Sequence, residues 1–130
     1  MSDIHQQILA EFSFLANDHG FTLAIAGDSM VVFTGSKSII RVGVGRRGEV
    51  GITFDRPTED HFYPFEFYLR ALHPQESYAR LDCEAWSKLE LAINLKNLAA
   101  ALVRYGGDVI RGDPVMFSEI QLAAAKQLES

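Results

Sequence analysis

The sequence predicts an α+β fold, in which an N-terminal helix precedes a four-stranded antiparallel meander and two to three C-terminal helices, arranged in two layers. Three observations support this order. Apolar residues recur at helical spacing near the start, turn residues divide a tract of β-forming residues from Phe21 to Phe54, and helix-start signals follow. The chain has 130 residues, the size of one domain, so we predict a single α+β domain over 1–130.

The first helix is predicted from Asp3 to His19. Ser2 is a favourable N-cap, and Gly20 stands where a left-handed residue ends many helices. The apolar positions recur every three or four residues and define the side that is expected to be buried: Ile4, Ile8, Phe12 and Leu15.

Turn segments at near-regular intervals predict the meander. They are Gly27-Asp28, Gly35–Ser38 and Gly45–Gly48. No segment between them is long enough for a crossover helix, so the strands are expected to be antiparallel.

The last predicted hairpin also allows its register to be predicted. Opposed residues of an antiparallel pair share a face, so the apolar residues of the two strands must oppose one another. This parity requires a loop with an odd number of residues, which a type I turn at Arg46 and Arg47 followed by a left-handed Gly48 provides. The predicted opposition is Ile40, Val42 and Val44 against Val50, Ile52 and Phe54.

The opposite face of this sheet is predicted to be shallow. Such a face can receive a closely packed helix of the same chain, or another protein. Its residues are small or polar, namely Arg41, Gly43, Gly51 and Thr53, joined by Ala24 and Ala26.

The segment after the meander has two interpretations. Pro64 can open a short helix to Leu72, whereas the alternation in Phe65–Leu69 also fits a fifth strand. We favour the helix.

Two further helices are predicted towards the C-terminus. Asp82 can cap a long helix that reaches Tyr105 and stops at Gly106-Gly107, and Asp113 followed by Pro114 starts a last helix to about Leu128. One side of the long helix is expected to carry Trp86, Leu89, Ile93, Leu98 and Leu102, with Trp86 and Phe117 in the core.

Composition excludes several classes of function. The chain carries 17 acidic and 12 basic residues, a net charge of −5, which disfavours nucleic acid or an anionic membrane as a partner. The single cysteine, Cys83, provides neither an internal disulfide nor a cysteine-based zinc site. No apolar run approaches the ~20 residues of a membrane helix, and the start lacks a secretion signal, so a cytoplasmic location is expected.

Two short motifs have structural explanations. Gly43–Gly48 matches G-x-G-x-x-G, but a strand follows it where a dinucleotide site needs a helix, so it is interpreted as a hairpin turn. Arg111-Gly112-Asp113 spells an adhesion tripeptide, but Asp113 is better explained as a helix cap.

We predict no catalytic residue, metal ion or cofactor. Asp55, Glu59, Asp60 and His61 are close in sequence, but their spacing matches no metal-binding loop. Cys83 has no nucleophile signature around it.

The acidic segment is a better candidate for binding a protein. Its carboxylates can steer a basic partner, and its aromatic residues can anchor an interface, unless the rings belong to the core and the acids are simply solvated. The predicted partner-binding residues are Asp55, Glu59, Asp60 and Tyr63, with Arg46 and Arg47 as a second patch.

The C-terminal part of the chain resembles a known group of proteins. The long helix ending in Tyr105, the run Ile110-Arg111-Gly112-Asp113-Pro114 and then Phe117 look like the signature of small bacterial α+β proteins. Some of these proteins are assigned to the immunity-protein class of polymorphic toxin systems, and the helix-plus-meander layout is similar too. The resemblance implies a cytoplasmic protein that binds and blocks one cognate toxin without catalysis or cofactor. It implies a structural turn at Gly112 and no binding residues.

The sequence therefore favours a non-enzymatic protein-binding module, most concretely an immunity protein for a toxin that is possibly basic. Two alternatives stay open. A secretion-type chaperone would hold an unfolded client, and a small-ligand protein or enzyme would need a cavity near His61 or Cys83. The sequence does not determine the oligomeric state.

Overall fold

A computed structural model describes residues 2–59, 61–75, 81 and 84–129. It has α+β architecture with an antiparallel sheet, as predicted. The helices are α1 Asp3–Phe12, α2 Phe14–His19, α3 Phe65–Leu72, α4 Lys88–Tyr105, α5 Gly107–Arg111 and α6 Pro114–Glu129. The strands are β1 Thr22–Ala26, β2 Met30–Thr34, β3 Ile39–Val44, β4 Val50–Asp55 and β5 Tyr63–Pro64.

The sheet is a meander in the order β1-β2-β3-β4-β5. The predicted hairpin register is confirmed: Val42 pairs with Ile52, and Gly48 is left-handed with φ of 74°. The predicted number of strands is wrong, because the sheet in the described part of the chain has five, with β5 as the addition. This strand is only two residues long and pairs with Thr53 and Phe54, so it is too short to leave an alternating pattern.

One face of the sheet forms the centre of the core. The ring of Phe54 lies 5.9 Å from that of Tyr68 in α3, 5.9 Å from that of Phe117 in α6 and 5.8 Å from that of Tyr63, measured between centroids. The alternate face is more open: Ala24 and Gly51 are exposed, and a Cβ at Gly51 would meet no atom within 4 Å. The arrangement is close to the two layers that the sequence predicts.

The predicted first helix consists of two segments that meet at Ser13. Its start and stop are confirmed, since Ser2 and His5 form a capping box and Gly20 ends α2 in the left-handed conformation. At Ser13 the hydrogen bonds tighten, because Ala16 N–H and Asn17 N–H both donate to its carbonyl.

The C-terminal helices also refine the predictions. Phe65–Leu72 is helical as favoured, and within the described residues four helices follow the meander where two to three were predicted, one of them the short α5. Helix α4 is capped by Ser87, whereas the predicted cap Asp82 lies outside the described residues. The cap of α6 is confirmed: Val115 N–H donates to Asp113 Oδ1 at 2.9 Å.

The predicted buried side of α4 is wrong in its first part. Trp86 is 79% exposed, Leu89 71% and Ile93 50%. The helix carries a second apolar series at the same spacing, and it is this series that faces the core. Its buried members are Leu91, Leu95, Leu98, Ala99, Ala101, Leu102 and Tyr105.

Candidate protein-binding surface

The hairpin between β3 and β4 presents two arginines at its tip. Gly45 N–H donates to the Glu49 carbonyl at 2.7 Å, and Gly48 N–H donates to the Gly45 carbonyl at 3.0 Å. Glu49 also accepts a hydrogen bond from Arg47 N–H through Oε2 at 2.9 Å. The turn is therefore ordered by its own backbone, and Arg46 and Arg47 are both exposed.

The tip packs against the segment that leads into α4. Ala85 N–H donates to the Arg47 carbonyl at 3.2 Å, and the Arg47 guanidinium lies 3.6 Å from the Glu84 carboxylate. A Cβ on Gly48 would stand 2.5 Å from the Ala85 carbonyl oxygen. The close approach and the positive φ both require glycine here, and the contact fixes Ala85, the residue before Trp86, against the hairpin tip.

The backbone of Trp86 is fixed while its indole stays in solvent. Its N–H donates to Glu90 Oε2 at 2.9 Å, and Ser87 Oγ accepts from Glu90 N–H at 3.1 Å. These bonds close the first turn of α4 and orient the residue that precedes it.

Leu89 and Ile93 are exposed apolar residues in the first turns of α4, the helix that follows Trp86. They are four residues apart in α4, so they lie on one side of the helix, and both are at least half exposed. We call this set the Trp86 surface: Arg46, Arg47, Trp86, Leu89 and Ile93. Tryptophan and arginine are the residues most enriched where binding energy concentrates in protein interfaces.

The predicted acidic patch is largely used inside the fold. Asp55 is 6% exposed, and its Oδ1 lies 2.7 Å from Arg41 Nη1 on the open face of the sheet. Tyr63 is buried at 3%, whereas its neighbour Phe62 is 59% exposed. One of the two rings thus belongs to the core and the other is available at the surface.

The remaining members of the acidic patch differ in their surroundings. Glu59 lies 3.6 Å from Arg56 and accepts a hydrogen bond from Gln121 Nε2 at 3.1 Å, which ties the loop to α6. Asp60 lies outside the described residues. Of the predicted contact residues that the structure describes, Arg46 and Arg47 are exposed at the hairpin tip, next to the segment that leads into α4.

Two buried tyrosines have raised pKa values. Burial raises the pKa of Tyr63, opposed by a hydrogen bond from Gln121. Burial raises the pKa of Tyr68 further, and its hydroxyl donates to the Tyr105 carbonyl at 2.7 Å. His73 Nε2 lies 3.0 Å from the same hydroxyl oxygen, so this network joins the end of α3 to the end of α4.

The described residues contain no group of three or more His, Cys, Asp or Glu side chains that could hold a metal ion. His61 is exposed and lies against Tyr63, with 4.8 Å between ring centroids, while Cys83 lies outside the described residues. An open groove of about 860 Å³ lies between α3 and α6, and its lining does not include His61. In the part of the chain that is described, no helix has the length and apolar character to cross a membrane.

Comparison with known proteins adds no relative. No family model, curated protein or solved structure matches the chain. The apolar residues of the Trp86 surface have helical spacing in the sequence. This spacing predicted that they face the core, and no other sequence pattern indicated that they are exposed.

Proposed function

We propose that this chain is a non-enzymatic, cytoplasmic protein-binding domain that contacts its partner through the Trp86 surface. The observation that carries the proposal is the exposure of Trp86, Leu89 and Ile93 at the start of α4, where the preceding residues Glu84 and Ala85 contact Arg47. Exposed apolar side chains that lie singly need no explanation, but here two lie one turn apart on α4 and an exposed indole directly precedes the cap of the same helix.

The partner we propose is a folded protein, and in its most concrete form a cognate toxin. That form rests on the resemblance to the immunity-protein class. The mixed character of the Trp86 surface supports a specific contact, because an apolar centre supplies affinity and charges at its rim select the partner. The net charge of −5 favours a partner with a net positive charge, whose encounter it would accelerate, while Arg46 and Arg47 favour acidic groups at the point of contact on that partner.

Affinity capture with matched variants tests the proposal. Trp86→Ala and Leu89→Ser should each weaken binding, Trp86→Ala by about 2 kcal/mol or more, which is roughly 30-fold in Kd. Leu128→Ser is the control, because it makes the same change as Leu89→Ser at a leucine that is 89% exposed on α6. Glu59→Lys tests the acidic loop without breaking the Arg41–Asp55 ion pair.

A single stoichiometric partner that is lost with Trp86→Ala and kept with Leu128→Ser would support the proposal. A partner lost only with Glu59→Lys would move the interface to the acidic loop. If the captured protein arrests growth when it is expressed alone, co-expression of this chain should restore growth, and Trp86→Ala should reduce the rescue. Full rescue by Trp86→Ala would contradict a role for this surface in toxin neutralisation.

A further inference from the structure

Strand β1 lies at an edge of the sheet with its core-facing side chains only partly covered. Among the described residues, none pairs with its outer side. Leu23 and Ile25 share the buried face, since they pair with Phe33 and Val31, yet each is 40% exposed. The core therefore remains open along this edge.

The two edges of the sheet differ in how they are protected. β5 is two residues long and contains Pro64, which has no N–H to offer a further strand. β1 is five residues long, with the sequence Thr-Leu-Ala-Ile-Ala, and it contains no charge and no proline. Exposed edge strands in proteins are usually short or carry a proline or a charge, which prevents pairing with another strand. β1 has none of these features, so its edge favours pairing with a further strand.

The hydrogen bonds of the sheet identify which groups of β1 face outward. Val44 N–H donates to the Ser29 carbonyl, and Gly35 N–H donates to the Ser38 carbonyl, so the odd-numbered residues of β2 bond to β3. The even-numbered residues of β2 must then bond to β1, where they oppose Thr22, Ala24 and Ala26. The N–H and C=O groups of Leu23 and Ile25 consequently point away from the sheet.

We propose that a second copy of this chain covers the edge, with β1 pairing antiparallel to β1 about a twofold axis at Ala24. In this register Leu23 of each copy opposes Ile25 of the other. The outward groups of Leu23 and Ile25 then form four hydrogen bonds, and the half-exposed side chains meet on the core face. The proposal is independent of the Trp86 surface.

Charge supports a second copy as the occupant. The strand is neutral, so identical strands meet without repulsion between like charges.

The size of the contact predicts a weak dimer. Five paired residues span about 17 Å, and a sheet with its side chains is about 10 Å thick, so the paired edges cover roughly 200 Å² per copy. A standard stable interface covers about 800 Å² per partner. Sedimentation equilibrium at millimolar protein concentration should therefore detect a dimer that dissociates on dilution.

Cysteine cross-linking tests the register directly. With Cys83 changed to Ser, Ala24→Cys should form a disulfide-linked dimer under mild oxidation, because the two Ala24 Cα atoms would lie about 4.5 Å apart, a separation that a disulfide can bridge. Thr22→Cys is the matched control. It lies on the same exposed face, but Thr22 opposes Ala26 of the other copy, so the two introduced cysteines would stand about 13 Å apart along the strands.

A second pair of variants tests the contact without cysteine. Ile25→Lys should abolish the sedimenting dimer, whereas Thr34→Lys, which adds the same charge to an exposed residue of β2, should leave it intact. Equal cross-linking by Ala24→Cys and Thr22→Cys would overturn the register. A chain that stays monomeric at millimolar concentration, or a dimer that survives Ile25→Lys, would overturn the proposal and leave the edge to a strand from another protein.

Discussion

Replacement of Tyr68 by phenylalanine should destabilise the fold without changing the shape of the core. Tyr68 is fully buried, and its hydroxyl donates to the Tyr105 carbonyl at 2.7 Å. Because that bond uses the hydroxyl proton, His73 Nε2, at 3.0 Å, must be the donor to the hydroxyl oxygen. Phenylalanine would leave the aromatic ring in place and remove both bonds.

The loss in the free energy of unfolding follows from the two hydrogen bonds that the Tyr68 hydroxyl makes. The loss of a buried hydrogen bond costs about 1 kcal/mol, whereas the half-buried His73 can turn to water. For a chain of this length each kcal/mol lowers Tm by about 3–5 °C. The matched control is Tyr63→Phe. The hydroxyl of Tyr63 bonds to the exposed Gln121, which water can satisfy, so we expect a loss below about 1 kcal/mol.

Urea unfolding followed by far-ultraviolet circular dichroism measures the difference. The single tryptophan is a poor reporter for this purpose, because it is 79% exposed in the folded chain. Equal stabilities for Tyr68→Phe and Tyr63→Phe would refute the argument, since they would mean that the Tyr68 hydroxyl is not desolvated. A spectrophotometric titration is a second check: burial raises the pKa of Tyr68 and of Tyr63, so Tyr68→Phe should have one fewer tyrosine that ionises above the ordinary range than the wild type.

Three further outcomes are expected. Gly48→Ala should lower the free energy of unfolding by about 2 kcal/mol or more, because the new Cβ combines a positive φ with a clash against Ala85. The control, Gly51→Ala, should change it by no more than about 0.5 kcal/mol. Equal effects of the two substitutions in urea unfolding would contradict the turn geometry. Lys88, 2.9 Å away, lowers the pKa of the Asp3 carboxyl below its ordinary 3.8, so Lys88→Ala should raise that pKa in a carboxyl NMR titration. The pKa of Asp3 is lower in the folded chain than in the unfolded chain. The ion pair therefore stabilises the fold at pH values above the unfolded pKa, and this stabilisation is lost as the pH falls through the folded pKa. An Asp3 titration that is unchanged in Lys88→Ala would contradict the ion pair. Trp86 should emit at a solvent-exposed wavelength and be quenched by acrylamide, and an emission typical of a buried indole would contradict the Trp86 surface.

The parts of the fold that depend on local parity could be predicted from the sequence. The β3–β4 register follows from alternating apolar residues and an odd loop, and the caps at Ser2 and Asp113 follow from single residue types. The fifth strand could not be predicted, because two residues carry no period and their pairing depends on the chain that follows.

The candidate site could not be predicted for a different reason. Helix α4 contains two apolar series with helical spacing, one through Leu91 and Leu95 and one through Leu89 and Ile93. Periodicity identifies a helix, but it does not determine which of two apolar sides meets the sheet. Asp55 was misplaced in the opposite direction, because in the sequence it looks like an exposed charge. Its ion pair with Arg41 forms between diagonal neighbours on the paired strands β3 and β4, and this contact is not visible in the sequence.

The position of Phe117 has a consequence for how the chain matures during synthesis. This residue is fully buried against Phe54, 63 positions earlier, and Arg56 lies 4.5 Å from the centre of its ring. A ribosome that has made the whole sheet has therefore not yet made the helix that seals it. Until α6 emerges, the nascent sheet has an unsealed apolar face, which is the state in which chaperones bind and misassembly begins. Codon changes that slow translation between β5 and α6 should prolong that state and lower the yield of folded protein, while the same changes within α1, before any strand has been made, should not.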